Sequence, residues 1–350
     1  MTIHTSFTGG NITVEKIEDN TVYVEREIRD TEGDWFYWAF CVEDAAGMTL
    51  TFRFPSWARV GRFGPAISHD LVHWHWLDVP SEGNTFTYTF GPDENKVYFA
   101  HNMLYHPTRF LKFCEEKGLP VETICPSVKG RDIPGTRFGT GDKWILLTAR
   151  HHACESTGSY VLEGVLETLF PALPAEYSVL VIPCVDYDGV VDGDQGKNRM
   201  PHDHNRDYIA EPVYAVVEYM MEFGRTHDLA YTFDFHSPWH QGAQNDWVFL
   251  SRSTEAMEPF TDRFGEILKE ETDGIRLYYS GEYDVGPNEQ WNDETSPNSK
   301  NYFSKQDSVM LSVTLETPYF GLKETKISQP DLLELGHAFA RSVLRYIQEC

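Results

Sequence analysis

The sequence predicts an α/β fold with a mixed, mainly parallel sheet flanked by helices, preceded by a smaller all-β sandwich. Two stretches of different grammar within the 350 residues carry that prediction. Up to about residue 105, segments such as 49–54 (T-L-T-F-R-F) and 84–90 (N-T-F-T-Y-T-F) alternate with period two. Turn signals separate them, among them Gly9-Gly10-Asn11, Asp30-Thr31-Glu32-Gly33 and Ser81-Glu82-Gly83-Asn84. Many short strands at that spacing read as a sandwich. After Tyr105-His106-Pro107, apolar residues recur at helical spacing over 107–117, 157–171, 211–227, 254–272 and 329–349, with short apolar runs between them at 177–182 and 308–313. Strands alternating with helices define an α/β region. The boundary is placed at 106, giving an amino-terminal domain 1–106 and a second domain 107–350.

A chain of this length is one large domain or two unequal ones. With 41% hydrophobic and 14% aromatic residues it has ample material for packed cores. No segment stays apolar for the ~18 residues a membrane span needs. The opening Met1-Thr2-Ile3-His4-Thr5-Ser6 lacks a basic region followed by an apolar one, so a cytoplasmic protein is expected. Six cysteines, at 41, 114, 125, 154, 184 and 350, show no C-x-x-C spacing. A thiolate metal site or disulfide framework is therefore not expected. The formal charge of -25 argues against nucleic acid or an anionic membrane as partner. The sandwich leaves room for an oligomer formed through its surface.

Chemistry concentrates first at 149–156, A-R-H-H-A-C-E-S. The apolar run 144–149 before it reads as a buried strand, and Ser156 and Thr157 are candidate caps for the helix after it. His152 and Glu155 then lie at the carboxyl edge of the sheet, where open α/β sheets bind ligands. They offer two of the three protein ligands of a catalytic zinc. The alternative for an isolated H-x-x-E is a buried histidine paired with a helix-capping glutamate. Cys154 reads as a small residue in a tight turn. The run 231–238, Y-T-F-D-F-H-S-P, is another strand ending in a histidine, so His236 is the candidate third ligand, with Asp234 orienting it. The strand in 311–317, L-S-V-T-L-E-T, ends in Glu316, a candidate base for hydrolysis. Residues 187–208 form a polar, glycine-rich loop with cations at Lys197, Arg199 and Arg206. Such cations suit a carboxylate or an oxyanion. A solvated loop, or a calcium loop using Asp188, Asp192 and Asp194, is the alternative there.

In this order, H-x-x-E, D-G and N-R in one loop, D-x-H and T-L-E, the second domain resembles the zinc metallocarboxypeptidases of the carboxypeptidase A type. Within them, A-R-H-H-A-C-E is similar to the A-R-x-H-P-G-E of the cytosolic carboxypeptidase branch, whose members include tubulin deglutamylases and bacterial relatives. That branch also carries an amino-terminal β-sandwich. The resemblance implies one zinc ion held by His152, Glu155 and His236, with Glu316 as general base and acid. It implies that Asn205 and Arg206 grip the terminal carboxylate of a peptide or protein substrate. The family's oxyanion-stabilising arginine precedes that pair by about ten residues, where Gly196 stands in this chain. Lys197 and Arg199 are the cations nearby, and Arg199 is preferred. A cap tyrosine has no clear match, with Tyr279, Tyr283 and Tyr302 as candidates. Phe235 and Ser237-Pro238 depart from the family's D-L-H-G-H. The expected activity is zinc-dependent removal of a carboxy-terminal residue from a peptide or a side-chain branch. Open alternatives are a zinc N-acyl amino-acid deacylase or cell-wall peptide amidase, and a non-catalytic binding protein on the same fold.

Overall fold

A computed structural model describes residues 1–55, 60–79, 83–323 and 325–349; Ser81 and Glu82 of the expected turn, and Cys350, lie outside these. The alternating segments form the strands Thr49–Arg53 and Thr85–Thr89, paired antiparallel with Leu50 opposite Tyr88 and Phe52 opposite Phe86. With Thr13–Glu18 and Thr21–Glu25 they make a four-stranded sheet. A five-stranded sheet follows the order Thr2–His4, Ala39–Glu43, Lys96–Ala100, Ala66–Ser68, His75–Trp76.

The strand Ala39–Glu43 shows why two sheets form. Phe40 and Val42 pack with Leu50, Phe52 and Phe86 from the facing sheet. Their neighbours Ala39 and Cys41 point the other way, into the large core of the remaining chain, beside Trp76 and Tyr98. An antiparallel sheet often leaves one face to water; here both faces of this strand are covered. No gap in the core therefore accompanies residue 106. His106 instead caps the helix Pro107–Lys117, its Nδ1 accepting from the Thr108 amide at 3.2 Å.

The large sheet has seven strands in the order Glu122–Pro126, Asp132–Gly139, Tyr177–Ile182, Lys143–Ala149, Asp228–His236, Leu311–Glu316, Phe249–Ser251. Its three inner pairings are parallel and its three outer pairings antiparallel. The sheet is thus mixed, and the expectation of a mainly parallel one holds only for its centre. The hairpin 122–139 closes through a short turn, and Phe249–Ser251 is reached from Asp228–His236 with no α-helix between them, whereas a parallel neighbour needs a long crossover. Parallel pairing brings the carboxyl ends of the inner strands to one edge, with His236 directly opposite Glu316.

Helices match their periods with shifted ends. The expected helix 211–227 begins only at Ala215, because the Val213 and Tyr214 amides donate to the Asp207 carboxylate at 2.9 and 2.8 Å. The expected loop 187–208 contains a short helix, Tyr187–Asp192, whose Asp186 cap accepts from the Gly189 amide at 3.0 Å. Helices Ser156–Ala172 and Gln329–Glu349 touch backbone to backbone. A Cβ on Gly336 would lie 2.1 Å from the Val161 carbonyl oxygen. Gly336→Ala is therefore expected to lower stability by about 1–3 kcal/mol, read from the urea midpoint; an unchanged midpoint would place the two helices further apart. No helix among the described residues is long and apolar enough to cross a membrane.

Candidate metal centre and substrate cavity

His152 and Glu155 sit in the turn between the strand Lys143–Ala149 and the helix Ser156–Ala172. Arg150 holds that turn: it adopts a φ of 60° and its buried Nε donates to the Ala153 carbonyl at 2.9 Å. Glu155 occupies the cap position of the helix but makes no side-chain cap bond, and Ser156 and Thr157 lie inside the helix. Its buried carboxylate faces the imidazoles instead. Nδ1 of His152 lies 3.0 Å from Oε1, and Nδ1 of His236 lies 2.7 Å from Oε2. One ligand atom from each of the three residues falls within 4.8 Å of the others, which suits a single metal ion.

Each imidazole carries a carboxylate on its far nitrogen. Asp234 Oδ2 lies 2.7 Å from His236 Nε2, and Asp203 Oδ1 lies 3.5 Å from His152 Nε2. Such partners fix which nitrogen faces the centre. Asp234 was foreseen and Asp203 was not; only the fold of the 187–208 loop brings it in. A second group, His151, Asp234 and His236, is equally compact. Its atoms are already engaged, however, with His151 Nδ1 2.9 Å from Asp234 and Nε2 2.8 Å from the Tyr208 hydroxyl. His152, in contrast, turns its Nδ1 to Glu155 and lines an open cavity, which His151 does not. Cys154 is buried with its thiol pushed up to about 12 by burial, as suits a packing residue.

A cavity of about 390 Å³ opens on this centre, lined by His152, His236, Glu316, Lys197, Asn205 and Arg206 among others. The Glu316 carboxyl is buried, and its Oε2 has no hydrogen-bond partner. Burial, helped by the Glu155 carboxylate and opposed by His236 and Lys197, pushes it up to about 7. Asn205 accepts from the Ser299 amide at 3.1 Å, which fixes its side chain, and Arg206 is anchored to the Asn205 carbonyl at 2.8 Å.

The structure separates the two cations left open at 197 and 199. Lys197 Nζ makes a close ion pair with Glu155 Oε1 at the centre. Burial is the largest influence and works against its charge, but Glu155, Cys154 and Glu316 together hold it above its ordinary value. Arg199 turns away, its Nη2 3.0 Å from Asp30 and 2.8 Å from Asp186, so the preference for Arg199 is corrected to Lys197. The reason sits at Gly196. Its φ is +74° and a Cβ there would lie 2.2 Å from the Ala153 nitrogen, so no side chain fits where the resembled family has its arginine.

Tyr302 is also corrected. Its hydroxyl receives a hydrogen bond from Arg225 at 3.1 Å, on the outside of the helix Ser299–Phe303. Tyr279 bonds Asp284 at 2.6 Å and Tyr283 stacks on Trp247. The aromatic residues lining the cavity are Trp35, Trp239 and Trp291. The three aspartates considered for calcium are taken up by cations: Asp188 and Asp192 by Arg131 at 2.8 and 2.7 Å, Asp194 by Arg29 at 2.9 Å. Sequence reading missed Lys300, a lysine only 5% exposed that lines the cavity and donates to Asn292 at 2.8 Å. Burial, then the neighbouring Arg206, lowers it to about 7.

Comparisons with known proteins bear on the fold and the sequence. The fold matches a metallo-carboxypeptidase of Pseudomonas aeruginosa solved in complex with (2-guanidinoethylmercapto)succinic acid, with TM-score 0.80 and 21% identity over 100% of both chains. In sequence, the chain is 28% identical to cytosolic carboxypeptidase 2 of Xenopus tropicalis over 147 residues, 35% of this chain and 15% of that protein. It is 25% identical to an uncharacterized protein of Zymomonas mobilis over 228 residues, spanning 60% of each. The matches thus cover less than two thirds of these relatives. No family model matches the chain. The chain has the metallo-carboxypeptidase fold and resembles the cytosolic carboxypeptidases in sequence, as its motifs implied.

Proposed function

We propose that this protein is a zinc metallocarboxypeptidase that hydrolyses the carboxy-terminal residue of a peptide or of a side-chain peptide branch. One observation carries the reading: a buried glutamate with an unpartnered oxygen faces the same cavity as a two-histidine, one-carboxylate cluster and an Asn-Arg pair. His152, Glu155 and His236 would hold the zinc, and the donor set is one that hydrolytic zinc uses. When bound, zinc supplies Lewis-acid polarisation and acidifies water. Glu316, raised by its burial, takes a proton from water and returns it to the leaving amine. Lys197 holds negative charge as it develops on the carbonyl oxygen. Asn205 and Arg206 anchor the terminal carboxylate.

Lys300 names the substrate side chain. Its ammonium is buried beside the cavity and lowered by burial, so a bound carboxylate would restore its charge. An acidic terminal residue, glutamate or aspartate, is the substrate that this cavity fits.

The β-rich residues 1–106 form a sandwich domain in this reading, and residues 107–350 the catalytic one. A cytoplasmic location follows the cytosolic carboxypeptidases it resembles. Metal analysis joined to mass spectrometry of a digested peptide library tests the whole reading. The expected result is one zinc per chain and loss of single acidic residues from free carboxyl termini. Release of acyl groups from N-acyl amino acids, with peptides untouched, would move the assignment to a deacylase. Zinc-free protein without turnover would leave a binding protein on this fold.

A further inference from the structure

The loop that carries Lys197 does not hold itself. Gln195 is fully buried, and its side-chain amide accepts from the Tyr37 amide at 2.8 Å and donates to the Tyr37 carbonyl at 2.8 Å. Asp30 accepts from the Gln195 and Gly196 amides at 3.1 and 2.9 Å and pairs with Arg199 at 3.0 Å. The Thr31 hydroxyl donates to the Lys197 carbonyl, and the Glu32 amide donates to the Asn198 carbonyl at 3.2 Å. Every one of these contacts joins the loop 194–199 to the amino-terminal segment 27–37.

The same segment reaches the lysine itself. The Lys197 ammonium lies 4.9 Å from the centre of the Trp35 ring, which also lines the cavity. Trp35 is braced edge-on by Trp239 at 5.1 Å, and its carbonyl receives the Arg26 Nε at 2.8 Å. An ammonium on a four-carbon stem has no fixed direction of its own. Beside its ion pair with Glu155, the ammonium has a second attraction in the face of Trp35.

We propose that the amino-terminal segment 27–37 is a working part of the active site, and that Trp35 is a positioning residue that sets the Lys197 ammonium between Glu155 and the substrate carbonyl. The inference rests on the reading of Lys197 given above, and two kinds of measurement keep them apart. The first is acetylation of the metal-free full-length protein by limiting acetic anhydride, read at each lysine by mass spectrometry. In Trp35→Leu, Lys197 is expected to react at least about five-fold faster while Lys300 keeps its rate; Trp35→Phe, which retains a ring face, stays within about two-fold of the parent. The second is hydrolysis of an acidic-terminated peptide by the zinc-loaded protein. Trp35→Leu is expected to lower kcat about ten-fold with KM held within about two-fold, and to add nothing when Lys197→Met is already present. Unchanged Lys197 acetylation in Trp35→Leu, or a full additional loss in the Lys197→Met background, overturns the positioning role. If Lys197→Met alone leaves kcat intact while acetylation still responds to Trp35, the catalytic reading of Lys197 fails and the placement by Trp35 stands.

Discussion

Replacing Glu316 with glutamine is expected to abolish turnover while zinc stays bound. The substitution preserves shape in a buried position and leaves His152, Glu155 and His236 untouched. Among the described residues, it removes the one cavity-lining carboxylate with a buried, unpartnered oxygen. Loss of a general base and acid costs about 10²–10⁴-fold in rate, and both of its proton transfers depend on this group. kcat on an acidic-terminated peptide should therefore fall by at least about 10²-fold, with metal content unchanged by atomic emission. His152→Ala is the contrast: zinc content itself should fall. A Glu316→Gln enzyme that turned over at the parent rate would put the base elsewhere.

The second large effect belongs to Lys300. Lys300→Met should lower kcat/KM for glutamate- and aspartate-terminated peptides by about 10- to 100-fold, the range for losing a charged hydrogen bond. Turnover of leucine-terminated peptides should be unchanged or faster. The same lysine makes a statement about stability. Its folded value is about 7 against an ordinary 10.5, so between those pH values the unfolded chain alone binds the proton. Stability therefore rises with pH across that window, by an amount on the order of a few kcal/mol, and is lowest below pH 7 where the buried charge is fully present. The Met variant should lose this slope in urea titrations at pH 7 and 10. A slope equal to the parent's, with parental preference for acidic termini, would remove Lys300 from the cavity's chemistry.

Much of the candidate site could be read from sequence because its members stand at strand ends, where local patterns mark them. The apolar runs before His152, before His236 and before Glu316 set three neighbouring strands, and parallel pairing does the rest. The loop cations could not be ranked that way. Lys197 and Arg199 are two residues apart, and what divides them is Asp30, more than 160 residues earlier in the chain. Lys300 gave no signal either. The helix Ser299–Phe303 that carries it has five residues, too few for a period to show. The same brevity misdirected Tyr302, which stands two residues on and faces Arg225. In the fold, the edge strands were the miss: Phe249–Ser251, for one, has three residues, too few for an alternation to show.

The strand covered on both faces has a consequence for how the protein is made. Synthesis runs from the amino end, so the sheet of Ala39–Glu43 leaves the ribosome long before the late residues that share its outer core, such as Tyr319 and Phe320, which pack on Phe36 and Trp76. The first sheets can close their inner core early, but the outer face stays wet until the second half of the chain arrives. The nascent protein thus holds an exposed apolar surface for much of its translation, a state prone to aggregation, and it becomes safe only when the centre itself is assembled.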